Sequence, residues 1–202
     1  MEKIKIWNDD PSSRQANKIA ETLREGNLAI IPTDSVYGIT CDALNLKAIN
    51  ELCRIKGIDP ERQHLSIICS DISMAAEYAH IDNEGFRLLK DLTPGPFTFL
   101  FRASRNLPKA FKGRKTVGIR IPDSKTAREI ASALGNPILT TSIEFDNDDE
   151  SREPELIEER YSNSGIALIA DGGDGDNLLT TIVDCRSPEG PEIIRQGKGI
   201  LD

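Results

Sequence analysis

Apolar positions along the chain alternate between two rhythms, short continuous runs ended by turn formers and three-to-four spacings on longer segments, which read as strands and helices respectively. Ile4 to Trp7 predicts a short strand. Ser12 or Ser13 caps a helix that carries Ile19, Leu23 and Arg24 and stops at Gly26, because a serine oxygen accepts from orphan helix amides and glycine tolerates the turn beyond the end. Leu28 to Ile31, ended by Pro32, reads as a buried strand, and Leu46, Ile49, Leu52, Cys53 and Lys56 mark a second helix. Leu65 to Cys69 predicts a strand, followed by two short helices over Ile72 to Tyr78 and Asn83 to Leu92. Phe97 to Phe101 and Val117 to Ile121 read as strands, and Ser124 to Leu134 as a helix with Gly135 just past its end. Ile138 to Thr141, Ile166 to Ala170, Thr181 to Asp184 and Ile193 to Arg195 complete the strands. This interleaving predicts an α/β fold with a largely central sheet and flanking helices, and the close spacing of the last two strands predicts some antiparallel pairing.

Composition narrows the picture. At 202 residues, with 38% hydrophobic and 29% charged, the chain suits one sizeable core, and a single domain over residues 1–202 is expected, since no repeat or linker interrupts it. Met1 to Trp7 lacks the apolar run of a signal peptide and no stretch reaches the roughly 18 apolar residues of a membrane span, so a soluble cytoplasmic protein is expected. Cys41, Cys53, Cys69 and Cys185 show no C-x-x-C spacing, and His64 and His80 have no partner at ligand spacing, which predicts free thiols and no metal site.

The net charge of -8 is local. Nine acids and one base, Arg152, lie between Glu144 and Glu159, which leaves acids and bases balanced elsewhere and an anion site compatible with the low pI. Asp146 to Glu153 reads as a solvated loop.

Four pieces place polar or cationic side chains at the edges of buried runs, where α/β proteins build sites: Pro32-Thr33-Asp34-Ser35-Val36-Tyr37-Gly38, Thr93-Pro94-Gly95-Pro96-Phe97 through Phe101, Gly118-Ile119-Arg120-Ile121-Pro122 and Ile138-Leu139-Thr140-Thr141-Ser142. Arg120 is the sharpest of these. It alternates with two core residues on a strand, and a guanidinium that cannot shed its charge there requires an anionic partner, either a ligand or a structural acid. Pro32 fixes the chain so that Thr33 offers a hydroxyl at the sheet edge, as a site residue or an ordinary turn threonine. Lys56 ends a helix, where a cation also complements the dipole. Asp171 to Asp176 lacks the G-K-[ST] ending of a phosphate loop and reads as a tight turn. Lys109, Lys112, Arg114 and Lys115 form a basic run ahead of the Arg120 strand, either a solvated face or an RNA-attracting one.

Together these motifs resemble the YrdC-like family, which includes threonylcarbamoyl-adenylate synthases of tRNA modification. The similarity runs from about Asn27 to Lys198 and is closest to the YciO branch, through Arg54-Ile55-Lys56, Ser66 to Ser73, Asp82-Asn83, Thr93-Pro94-Gly95 and Asp171-Gly172-Gly173. The resemblance implies a twisted, mixed sheet with a deep cation-lined cavity. It implies ATP and Mg²⁺ as cofactors and L-threonine as substrate, and threonylcarbamoyl-AMP as product. It assigns Thr33 to the amino acid, Lys56 to the ATP phosphates, and Arg120 to the carboxylate or phosphate of the ligand. Thr140 and Ser142 fall in its nucleotide-contacting motif, and Thr180, Thr181 and Arg195 match a strand pair that closes over the ligand, though edge-strand surface residues fit as well.

Two positions depart from the pattern. Ile58 stands where the K-x-R arginine falls, with Arg62 nearby as a substitute or a solvated loop residue, and Glu144 stands where the S-x-N asparagine falls. A carboxylate about 4 Å from a phosphate opposes binding by roughly 1 to 4 kcal/mol, depending on the dielectric. The expected functions are therefore a nucleotide-binding, synthase-like protein with an altered phosphate site or, alternatively, a module for tRNA or double-stranded RNA.

Overall fold

The computed structural model describes residues 1–59, 65–111, 115–143 and 152–201, and is organised on one eleven-stranded mixed sheet. Its strands are β1 (Glu2–Lys5), β2 (Ala29–Ile31), β3 (Gly38–Asp42), β4 (Ser66–Ile68), β5 (Ala79–His80), β6 (Phe97–Ala103), β7 (Thr116–Arg120), β8 (Ile138–Ser142), β9 (Leu168–Asp171), β10 (Thr181–Asp184) and β11 (Glu192–Arg195). They lie in the order β1-β9-β2-β3-β8-β4-β7-β6-β10-β11, with β5 paired to β6. Parallel pairs such as β4 with β7 sit beside antiparallel ones such as β6 with β7, and the closing β10–β11 pair is antiparallel, as its spacing predicts.

Six helices, α1 (Ser13–Arg24), α2 (Leu46–Lys56), α3 (Ile72–Tyr78), α4 (Asn83–Leu92), α5 (Lys125–Leu134) and α6 (Pro154–Tyr161), flank this sheet. Five begin at a capping side chain: Ser12, Asn45, Asp71, Asp82 and Ser124 each accept from a backbone N–H of the first turn. Such caps contribute about 1 kcal/mol apiece. No helix among the described residues is long and apolar enough to cross a membrane.

Strand parity divides the interior into two cores. Ile30, Ile39, Ile67, Phe99, Ile119, Ile121 and Leu139 face the larger one, with Ile49 and Leu52 of α2, Leu89 of α4 and Ile157 of α6. Ala29, Ile31, Ile68, Ile138, Leu168 and Ala170 face the smaller, against Ile19 and Leu23 of α1 and Ile130 and Leu134 of α5. Only part of this second face is covered by α1 and α5. Toward β7, β6 and β10 the same-face positions are Arg120, Gly118, Thr98, Leu100 and Ile182, and the apolar ones among them are not part of the cluster that α1 and α5 form.

Strands β3 and β5 and helix α6 are absent from the sequence pattern. Strand β3 has all five residues buried, so the hydrophobic-polar alternation that marks a half-buried strand is missing. Helix α6 lies in the acid-rich stretch and buries only Pro154 and Ile157, too few positions to set a helical rhythm. Most of the expected loop at Asp146 to Glu153 lies outside the described residues. Strand β1 runs over Glu2–Lys5, two residues ahead of the expected Ile4 to Trp7 span and overlapping it at Ile4 and Lys5.

The Asp171 carboxylate ties β9 to the edge strand. It accepts from Lys5 Nζ at 2.9 Å and from the Gly173 N–H at 3.0 Å. Burial pushes its pKa up, but the Lys5 and Gly173 donors outweigh this and hold it below the ordinary 3.8. Stability from a depressed carboxyl is present above the unfolded value and is lost as pH falls through the folded one. Urea unfolding of wild type and Asp171→Asn is therefore expected to differ most near neutrality and to converge as the pH drops below 3.8. A constant difference down to strong acid would show that the carboxylate charge contributes nothing.

Candidate functional site

The uncovered part of the sheet face holds a cavity of about 160 Å³, lined by Ser66 of β4, Thr98 of β6, Arg120 of β7, Thr140 and Ser142 of β8, and Arg195 of β11 among others. Its floor is low because glycines sit at the crossings. A Cβ on Gly118 would lie 2.6 Å from Ser66 Oγ and 3.0 Å from Thr98 Cγ2, and one on Gly38 would lie 2.5 Å from Thr140 Oγ1. Side chains there would press on Ser66, Thr98 and Thr140, which line the cavity. Small hydroxyl residues and glycine thus replace the apolar side chains that a covering helix would require.

Arg120 lies at the end of β7 and is 5% exposed. Its Nη2 donates to Asp34 Oδ1 at 3.0 Å, to Ser35 Oγ at 3.0 Å and to Thr33 Oγ1 at 3.4 Å. The anionic partner required by its position is thus present in the chain, and both side chains of the Arg120–Asp34 pair are buried. One edge of the guanidinium remains unused, because Arg120 Nε is buried without a hydrogen-bond partner among the described residues. Thr140 Oγ1, on the same cavity, is also buried and unpartnered. Burial pulls the Arg120 pKa below its usual value, Asp34 opposes this, and the Arg195 charge adds to the lowering. The pocket therefore carries more positive charge than Asp34 compensates.

The loop that holds Arg120 is itself tied. Thr33 Oγ1 donates to Val36 O at 2.8 Å and accepts from Ser35 N at 3.1 Å as well as from Arg120. Its one donor and two acceptor positions are filled. These are the bonds of a turn threonine, and Thr33 lies outside the lining of this cavity. Asp34 Oδ2 accepts from Asp123 N at 2.7 Å, and Asp34 O accepts from Lys198 Nζ at 2.7 Å.

Lys56, at the end of α2, donates to Ser142 O at 2.9 Å and so stands at the rim beside β8. Ile58 lines the cavity, which places an apolar side chain where the synthase pattern has arginine. Arg195 donates to Thr180 O at 2.8 Å, and Thr180 Oγ1 shares a hydrogen bond with Thr98 Oγ1 at 2.8 Å. The neighbouring Thr181 departs from its expected place. It pairs with Phe97, and its hydroxyl turns away from the cavity to donate to Gly199 O and accept from Gly197 N, fastening the chain after β11. Thr180 takes the lining position instead.

Of the remaining expected residues, Arg62, Glu144, Lys112 and Arg114 lie outside the described residues. Lys109 begins a short 3-10 turn, and Lys115 precedes β7 at the end opposite Arg120, so neither stands at the mouth of this cavity. Asp171 to Gly173 forms a turn, with Gly173 at a φ of 84° and Tyr37 Oη donating to Gly173 O. Asp34, Ser66 and Thr98 complete the site without having been singled out in the sequence. The need for an acid near Arg120 was readable, but which acid depends on the loop geometry of residues 33–36.

Comparison with known proteins agrees with this architecture. The family profile Sua5/YciO/YrdC, described as telomere recombination, matches residues 21–197. The crystal structure of E. coli YciO superposes with a TM-score of 0.90 at 32% identity, covering 99% of this chain and 98% of that one. Threonylcarbamoyl-AMP synthase of Bos taurus is 34% identical over 184 residues, 87% of this chain and 65% of that protein. The P. abyssi Sua5 structure complexed with L-threonine matches with a TM-score of 0.86 at 25% identity, covering 98% of this chain and 58% of Sua5. With the fold and the match over residues 21–197 in agreement, this chain belongs to the Sua5/YciO/YrdC family.

Proposed function

We propose that the cavity binds the acid group of a small amino-acid-derived ligand, threonine or a close relative, with a nucleotide such as ATP or AMP extending across the rim at Lys56 and Ser142. The observation that carries this reading is the pair of buried, unpartnered groups, Arg120 Nε and Thr140 Oγ1, on one small cavity. An unsatisfied buried polar atom costs about 1–3 kcal/mol, so two on residues that line one space call for a ligand that accepts from the first and pairs with the second. Size sets the division of the ligand. A volume of about 160 Å³ is below the roughly 300–1,000 Å³ of pockets that enclose drug-sized molecules, and it suits one head group only.

In this arrangement Arg120 and Arg195 neutralise the bound anion while the Thr33–Ser35 loop fixes the Arg120 plane, so positioning and charge supply the chemistry. The synthase reaction needs no protein nucleophile, because a carbamate carboxylate attacks the α-phosphorus of ATP and pyrophosphate leaves. The described lining contains no carboxylate, and Asp34 is already occupied. Magnesium would accordingly enter on the nucleotide phosphates, its usual mode in phosphate-binding sites. With Ile58 in place of a cation, weaker holding of the outer phosphates is expected, which favours AMP or an adenylate over ATP.

Thr140→Val tests the reading without disturbing the Arg120 pair. Removing an unpaired buried hydroxyl is expected to leave unfolding free energy unchanged or raise it by about 1 kcal/mol. Ligand affinity, measured by calorimetry with L-threonine and AMP, is expected to fall by roughly two- to tenfold, the worth of one hydrogen bond. A variant that binds as tightly as wild type would remove Thr140 from the site, and a wild type that binds neither compound would overturn the proposal.

A further inference from the structure

The same sheet face carries a second cationic pocket at its far end. Along β6, Thr98 lines the first cavity and Arg102 lines another, and along β7 the corresponding residues are Arg120 and Thr116. Four residues of strand place the two about 13 Å apart on one face. This second space, about 440 Å³, is bounded by Arg102, Lys115, Thr116, Asp184, Arg186 and Ser187. A larger neighbouring cleft of about 630 Å³ shares Arg102, Arg186 and Ser187 with it.

The charges there are of two kinds. Arg186 is fixed by two hydrogen bonds to Asp184, at 2.8 and 2.6 Å, and by a third to Thr116 Oγ1 at 2.8 Å. That pair neutralises itself and forms a rigid wall. Arg102 and Lys115 are exposed cations with no ion pair among the described residues. Lys115 is also held at a φ of 53°, a left-handed conformation that disfavours any residue with a Cβ. A lysine kept where glycine would be easier points to a use for its ammonium group.

We propose that this pocket binds a phosphate group. Two such cations match the charge of about -1.5 to -2 on a terminal phosphate, or two successive singly charged phosphodiesters of an RNA backbone, whereas a lone carboxylate would leave one uncompensated. The phosphate has two possible sources, a free phosphate or pyrophosphate ion and the backbone of an RNA. The inference does not rest on the nucleotide reading of the Arg120 cavity.

Calorimetry of the full chain at low salt with inorganic pyrophosphate, and separately with a short RNA duplex, tests it against Arg102→Gln, Lys115→Gly and Thr140→Val. Binding of one or both probes is expected to weaken by about tenfold in each of the first two variants, the loss of one charge-assisted contact, and to persist in Thr140→Val. Lys115→Gly is further expected to melt no lower than wild type, since glycine relieves the left-handed backbone, so its lost binding cannot be attributed to unfolding. Binding of RNA but not pyrophosphate identifies the backbone as the source, and the reverse identifies the free ion. Absence of binding by both probes to wild type overturns the proposal, as does binding that survives both charge removals or is lost only with Thr140→Val.

Discussion

Arg120→Ala is expected to destabilise the protein by about 3–5 kcal/mol, because it leaves the Asp34 carboxylate buried without its cation. Asp34 would keep only the Asp123 N–H at 2.7 Å among its present donors to the carboxylate. The ligand effect of this variant is therefore inseparable from its folding effect, and a second variant is required. Arg120→Met combined with Asp34→Asn removes both charges, keeps similar volume and leaves an oxygen for Asp123. It is expected to recover most of the lost stability while remaining unable to bind an anion. Urea unfolding with calorimetry of the bound ligand separates the two. If Arg120→Ala unfolds within about 1 kcal/mol of wild type, the pair is not the buried, low-dielectric one described.

Gly118→Val is expected to abolish ligand binding and to cost about 1–3 kcal/mol of stability. The position faces Ser66 Oγ at 2.6 Å and Thr98 Cγ2 at 3.0 Å for the first added carbon. Alanine alone is milder, since the Ser66 hydroxyl rotates away, while Thr98 Cγ2 at 3.0 Å and Ser66 Cβ at 3.2 Å need give only a few tenths of an ångström. The two further methyls of valine have no such relief and stand on the cavity floor. Calorimetry showing Gly118→Val still binding L-threonine or AMP with unchanged affinity would place the site elsewhere on the molecule.

Much of this site was legible from strand rhythm. Arg120 between Ile119 and Ile121 had to face away from the larger core, and it does. What could not be read was parity at the sheet's margins. Thr180 and Thr181 are equivalent in sequence, and only the pairing of Thr181 with Phe97 assigns one to the cavity and the other to the tail. The missed strand β3 has a related cause. Its neighbours β2 and β8 enclose it and its five residues are all buried, so no polar beat marks it out. Asp34 was quoted within its motif, yet its role needed three dimensions, because Arg120 reaches it across 86 positions of sequence.

Strand parity has a corollary for engineering. Residues that pack the larger core, such as Ile67, Phe99, Ile119 and Leu139, alternate with Ser66, Thr98 and Thr140, which line the cavity. The two sets occupy opposite sides of the same backbone and hardly compete for space. A combinatorial library at Ser66, Thr98, Thr140 and Thr180 would therefore vary the cavity wall while the larger core on the other side of the sheet stays intact.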